Sequence, residues 1–146
     1  MKLIGEIIQG HPLFHAKASD TVRNVAKMMS DKNVGAVAIL ETGRLVGIFS
    51  ERDLMKRVVA AGLNPEKTAV GNVMTKELVV GHPKDDINDA LQKMHSIGCR
   101  HLPVVDSGNL LGMLSLRDLL EIDDDTQRKR ASFLNELVTY SPDYES

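Results

Sequence analysis

Gly47-Ile48-Phe49-Ser50-Glu51-Arg52-Asp53 returns 65 residues later as Gly112-Met113-Leu114-Ser115-Leu116-Arg117-Asp118. Held without a gap from Asp20–Leu54 to Asp85–Leu119, that offset gives nine identities in 35 positions. They are Asp20/Asp85, Met29/Met94, Gly43/Gly108, Leu45/Leu110, Gly47/Gly112, Ser50/Ser115, Arg52/Arg117, Asp53/Asp118 and Leu54/Leu119. Chance at average composition gives roughly two. Ten of the other 26 positions set apolar against apolar, as at Val22/Ile87, Val37/Leu102, Ile39/Val104 and Val46/Leu111. An offset of 66 extends the match into the lead-ins, pairing Gly5, Ile7 and Ile8 with Gly71, Val73 and Met74. The chain is a tandem duplication, and its fold is read as one unit made twice.

Bulk properties narrow the function. A chain of 146 residues, 42% apolar, supports a packed core. Each half, about 60 residues, buries too little surface to be comfortable alone, so the halves are expected to share a core. The net charge of −2 argues against nucleic acid as a partner, because phosphate binding demands a basic surface. The basic cluster Arg128-Lys129-Arg130 follows Asp123-Asp124-Asp125, which offsets it, and Trp is absent, so no base-stacking platform is expected. Cys99, the single cysteine, excludes an internal disulfide and fits a reducing compartment. Glu6 interrupts the apolar N-terminus, so no signal peptide is expected there. No apolar run approaches the roughly 18 residues that a membrane span requires. The expectation is a soluble, cytoplasmic protein with no membrane or nucleic-acid partner.

Along the chain, Ile4, Ile7 and Ile8 have helical spacing, and Gly10-His11-Pro12 breaks the segment. Leu13–Ala18 is a short strand candidate. Ser19 or Asp20 can cap a helix from Thr21 to about Lys32 with Val22, Val25, Ala26 and Met29 inward. Val34–Leu40 reads as a strand buried on both faces. Thr42-Gly43 turns the chain into a strand over Arg44–Phe49, and Ser50 opens a helix carrying Leu54, Val58 and Val59 that ends near Ala61-Gly62. Asn64-Pro65 separates the halves. The second half repeats the order: a helix at Val70–Met74, strands at Leu78–Val80, Arg100–Val105 and Leu110–Leu114, and helices from Asp86 to about Ser96 and from Ser115. Beyond the duplication, Asp125 can cap a further helix with Phe133, Leu134, Leu137 and Val138 on one side, stopped at Ser141-Pro142. The methionines Met28, Met29 and Met55 read as core.

The repeated Ser-x-Arg-Asp unit has two physical readings. A Ser with an acid three residues on is a capping box and needs no ligand. The same atoms suit a nucleotide: the Ser hydroxyl can donate to a phosphate oxygen, and the Asp carboxylate can accept from both hydroxyls of a ribose. Arg52 or Arg117 can add a charge-assisted contact to phosphate. His11 and His15 are four apart, but Gly10 and Pro12 exclude a shared helical face, so no metal site is expected. No Gly-x-Ser-x-Gly or metal-ligand motif points to an enzyme.

The chain resembles a tandem pair of cystathionine-β-synthase (CBS) domains over roughly residues 1–122. The resemblance rests on the two Gly-x-x-Ser-x-x-Asp copies, on Arg100-His101-Leu102-Pro103-Val104-Val105-Asp106, and on the lead-ins at Ile7-Ile8 and Val73-Met74. It implies a mixed α/β (α+β) fold: two β-α-β-β-α repeats, residues 1–64 and 65–122, packed sheet to sheet about a pseudo-twofold axis, plus a C-terminal helix and tail over 123–146. It also implies a regulatory module without catalysis that binds AMP, ADP, ATP, NAD or S-adenosylmethionine in clefts between the repeats, with no metal. Phosphate and ribose then fall to Ser50 and Asp53, and to Ser115 and Asp118. The base falls near His15 and Val34 in one copy, and near Val80 and Cys99 in the other. Arg100 and His101 give the second copy polar partners where the first has Gly35 and Ala36, so two sites of unequal affinity are expected. The alternative is a scaffold that dimerises without ligand. A homodimer is expected in either case, because Leu54, Val58, Val59 and the C-terminal helix carry more apolar surface than one module covers. The downstream protein target is unknown.

Overall fold

The structure, a computed structural model, describes residues 2–122 and, in isolation, Asn135. The expected C-terminal helix with Phe133, Leu134, Leu137 and Val138 lies outside the described residues. The elements are α1 (Ile4–Ile7), β1 (His15–Lys17), α2 (Val22–Lys32), β2 (Ala36–Glu41), β3 (Arg44–Ser50), α3 (Glu51–Asp53), α4 (Ile87–Ile97), β4 (His101–Asp106), β5 (Asn109–Ser115) and α5 (Leu116–Leu120). A π-helical stretch, Leu54–Val59, continues α3, and a single 3-10 turn spans Val70–Asn72. The fold is mixed α/β with two small sheets.

These elements form two compact units. One is the contiguous segment Leu13–Leu78; the other joins residues up to Pro12 with those from Val79 onward. Each lead-in therefore belongs to the unit built from the opposite repeat, and Asn64-Pro65, where the sequence repeat changes, lies inside the contiguous unit. There the Pro65 carbonyl accepts from the Arg23 N–H at 3.0 Å, and Thr68 accepts from Val22 at 2.9 Å.

In the contiguous unit, β1 runs parallel to β2 (Ala16 opposite Ile39) and β2 antiparallel to β3 (Val37 opposite Phe49). Val22, Val25 and Met29 of α2 pack with Val37, Ile39, Phe49 and Val58 and with Val70, Val73 and Met74 from the second lead-in. Thr21, rather than Ser19 or Asp20, caps α2: its hydroxyl accepts from the Asn24 N–H at 3.2 Å. Asp20 is instead committed to the Lys17 N–H at 2.9 Å. Met28 is half-buried against this core, whereas Met55 is exposed, so it is not core as the sequence suggested. The helix after Ser50 also differs from expectation: Ala60 donates to the Met55 carbonyl at 2.8 Å, five residues back, which widens the turn.

In the two-segment unit, β4 and β5 pair antiparallel, and α1 supplies Ile4 and Ile7 to a core with Leu91, Met94, Leu102 and Leu114. Leu78–Val80, expected as a strand, forms none; only Gly81 bridges, parallel to Val104. Gly81 donates to the Pro103 carbonyl and accepts from the Val105 N–H, each at 2.8 Å. The next ladder bond would need an N–H at position 103, and proline has none. Ala38 holds the equivalent position of β2, where the three-residue β1 forms. Both hairpins turn through residues with positive φ, Thr42 and Gly43 (48° and 80°) and Ser107 and Gly108 (52° and 82°), which matches the twist of paired strands.

The repeated glycines mark where a lead-in lies against a sheet. A Cβ on Gly47 would meet Met74 Sδ at 2.5 Å and the Thr75 carbonyl at 2.9 Å; one on Gly112 would meet only the Ile8 side chain, at 2.9 Å and beyond. The Thr75 carbonyl cannot yield, because it accepts from the Ile48 N–H at 3.0 Å while Thr75 donates back at 2.8 Å. Gly47→Ala should therefore cost about 1–3 kcal/mol, and Gly112→Ala distinctly less, in urea unfolding followed by circular dichroism.

Candidate functional site

Each motif copy sits where a β-strand becomes a helix. In the contiguous unit, Ser50 ends β3 and caps α3. Its Oγ accepts from the Asp53 N–H at 3.1 Å, and its own N–H donates to Asp53 Oδ2 at 3.0 Å. The hydroxyl also donates to Oδ2, at 3.1 Å. The other carboxylate oxygen, Oδ1, accepts from Thr75 Oγ1 at 2.9 Å and lies 3.6 Å from Arg57 Nε. Arg57 is steadied by donating to the Met74 carbonyl at 2.9 Å. Asp53 is 6% exposed, the one buried charged side chain among the described residues.

In the two-segment unit the capping box is the same: Ser115 N–H donates to Asp118 Oδ2 at 2.8 Å, and Asp118 N–H to Ser115 Oγ at 3.1 Å. The surroundings differ. His101 lies opposite Ser115 in the β4–β5 register, and the Arg100 carbonyl accepts from Leu116 N–H at 2.8 Å. Asp118 is half-buried rather than sealed. Burial lowers the His101 imidazole to about 4; the Asp118 carboxylate opposes that shift and the Arg100 guanidinium adds to it. His101 is thus neutral at physiological pH and can accept as well as donate.

The remaining sequence candidates fall around these junctions. Val34 is half-buried at the approach to β2, and His15 is exposed at the start of β1 opposite Ala38. Val80 is exposed, and its carbonyl accepts from Lys93 Nζ at 3.0 Å. Lys93 also donates to Asp85 Oδ2 at 2.8 Å. Burial pushes the Asp85 carboxyl up, but the His82 N–H and Lys93 outweigh it and hold the group below the usual carboxylate value. Cys99 is half-buried beside the core of its unit, Arg52 is half-buried, and Arg117 is exposed. The structure thus gathers Arg100, His101, Ser115 and Asp118 at one junction, and Ser50 with Asp53 at the other.

Sequence reasoning missed Thr75 and Arg57. A signal for each was present: Arg57 stands four residues after Asp53, and Thr75 follows the repeated lead-in where the first copy has Gln9. Among the described residues, no group of three or more His, Cys, Asp or Glu could hold a metal ion, and no helix is long and apolar enough to cross a membrane.

The chain belongs to the CBS domain family, whose model matches residues 4–60 and 70–125. It is 40% identical over 101 residues to the CBS domain-containing protein YhcV of Bacillus subtilis (strain 168), covering 69% of this chain and 71% of that one. It superposes on a putative signal-transduction protein with CBS domains from Burkholderia ambifaria with a TM-score of 0.77 and 27% identity, over 82% of this chain and 92% of the other. The CBS domain pair of protein MJ0100, solved in complex with 5′-methylthioadenosine and S-adenosyl-L-methionine, shares the fold at a TM-score of 0.71 and 23% identity, over 82% of this chain and 93% of that one. CBS-domain pairs are generally regulatory modules.

The neutral His101 makes a pH prediction. Its folded pKa lies below its unfolded one, so between about pH 4 and 6.5 the unfolded chain binds more protons and stability is lost as pH falls through that window. From about pH 6.5 down to about pH 5, His101 should account for a loss of about 1–2 kcal/mol. His101→Gln should remove that part of the slope in urea unfolding; parallel slopes for the two proteins would refute the buried neutral imidazole.

Proposed function

We propose that the chain is a regulatory module that senses energy state or another signal in the cytoplasm by binding an adenosine compound, without catalysis of its own and without a metal. Candidate ligands are AMP, ADP, ATP, NAD and S-adenosylmethionine. The observation that carries the reading is the second junction: a half-open carboxylate, Asp118, beside a neutral His101. Asp118 accepts from the ribose hydroxyls, Ser115 donates to phosphate or another polar tail, and Arg100, His101 and Arg117 add donors. Val80 and Cys99 border the base. The other copy offers Ser50, Arg52 and Asp53, with His15 and Val34 at the corresponding strand ends. The adenosine moiety common to both ligands of MJ0100 supports this choice of chemistry. The repeats run over 1–64 and 65–122, with 123–146 as a C-terminal extension.

A ligand at 100 times its dissociation constant adds roughly 2.7 kcal/mol to stability. For a chain of this size the melting midpoint should rise by about 5–10 °C. Flat melting curves with every one of the five candidates would sink the proposal.

A second reading, a scaffold that dimerises without ligand, draws on exposed apolar side chains of the π-helical stretch and the segment after it: Met55 is 48% exposed, Val59 69% and Leu63 43%. In both readings we take the working unit to be a homodimer that buries these side chains and hands its signal to an as yet unknown protein target. Val59→Glu should turn a sedimenting dimer into a monomer with an unchanged far-UV circular dichroism spectrum, and with a lower melting midpoint because association no longer stabilises the folded state. A wild-type monomer at micromolar concentration would remove the dimer from both readings.

A further inference from the structure

We infer that only one of the two motif copies is a working ligand site: Thr75 and Arg57 close Asp53 as an acceptor, and each chain takes one adenosine ligand, at Asp118. The inference rests on the adenosine reading above and decides where that ligand goes.

A ribose diol needs carboxylate lone pairs that are unspent and reachable. A carboxylate has about four lone-pair positions; Asp53 has committed three to hydrogen bonds and faces an ion pair as well. Oδ2 takes the N–H and the hydroxyl of Ser50; Oδ1 takes Thr75 Oγ1, with Arg57 Nε at 3.6 Å. These donors are themselves anchored, Thr75 by two backbone bonds to Ile48 and Arg57 by the Met74 carbonyl. The Ser50 hydroxyl proton is spent on Asp53, so it is not offered to a phosphate. Taking the acid from this cage would leave the half-buried Ser50 and Thr75 donors without their partner, which costs stability.

The second copy lacks both locks. Gln9 and Ile122 stand at the positions of Thr75 and Arg57. The isoleucine side chain carries no donor, and Gln9 lies exposed in the turn after α1. Among the described residues, Asp118 Oδ1 accepts no hydrogen bond, and the Ser115 hydroxyl gives no proton to Asp118. The atoms that a ribose and a phosphate would use are spent in one copy and open in the other.

Isothermal titration of the full chain with AMP, ATP, 5′-methylthioadenosine and S-adenosylmethionine in turn tests this. One equivalent per chain is expected for whichever compounds bind, with at least a tenfold loss of affinity in Asp118→Asn, which can still cap the helix. Photolabelling of the wild type with 8-azido-AMP and peptide mapping should mark the segment Cys99–Asp118, a readout independent of how the variant folds. Two equivalents, or label on Val34–Asp53, overturns the single-site inference. No binding of any of these four, nor of ADP or NAD titrated in the same way, overturns the adenosine reading itself. Thr75→Val, alone and with Arg57→Met, should open a second and weaker class of site; one unchanged class in both would show that these residues are not what closes the first copy.

Discussion

Ile48 and Thr75 exchange two backbone hydrogen bonds, at 3.0 and 2.8 Å, and much of the contiguous unit depends on that small antiparallel pairing. It fixes the second lead-in along β3, a strand of the other repeat. It brings Met74 over Gly47, which is why no side chain fits there. It sets Val73 and Met74 into the core with Phe49 and Val58. It also aims the Thr75 hydroxyl at Asp53. The equivalent pairing of Gln9 with Met113 is not formed among the described residues, and the chemistry of the two motif copies diverges from that point.

The exchange of lead-ins also answers the size constraint. A half of about 60 residues is short of burial on its own. Each unit gains apolar surface by taking in a segment from the other repeat: Ile4, Ile7 and Ile8 on one side, Val70, Val73 and Met74 on the other. The same backbone contacts recur in both, with Gly5 donating to Pro83 and Gly71 to Ala18 at 2.9 Å. Duplication is therefore visible in the hydrogen bonding as well as in the sequence.

Much of this was legible before the structure. The apolar runs placed the hairpins β2–β3 and β4–β5, the Thr42-Gly43 turn, and the capping boxes at Ser50 and Ser115, because each depends on local pattern and backbone preference. What escaped depends on partners distant in the chain. Pro103 removes the donor that a strand at Leu78–Val80 would need, but only its pairing with Gly81 reveals which bond is lost. Apolar periodicity put Met55 inside; the π-helical stretch leaves it exposed. The motif alone does not separate Asp53 from Asp118; Thr75, 22 residues from Asp53, and Arg57 do. The family resemblance named candidate residues in both copies but was silent on which of their atoms are already hydrogen-bonded.

The division of the chain into a contiguous unit and a two-segment unit has a consequence for biosynthesis. Residues 13–78 hold everything their unit contains, so that unit can complete itself while later residues are still being made. The N-terminal segment cannot, since Ile4, Ile7 and Ile8 pack against Leu102 and Leu114. At roughly 5–20 residues per second of synthesis, three isoleucines wait on the order of ten seconds for their partners. Those three side chains are therefore made before residues 13–78 and find their partners after them.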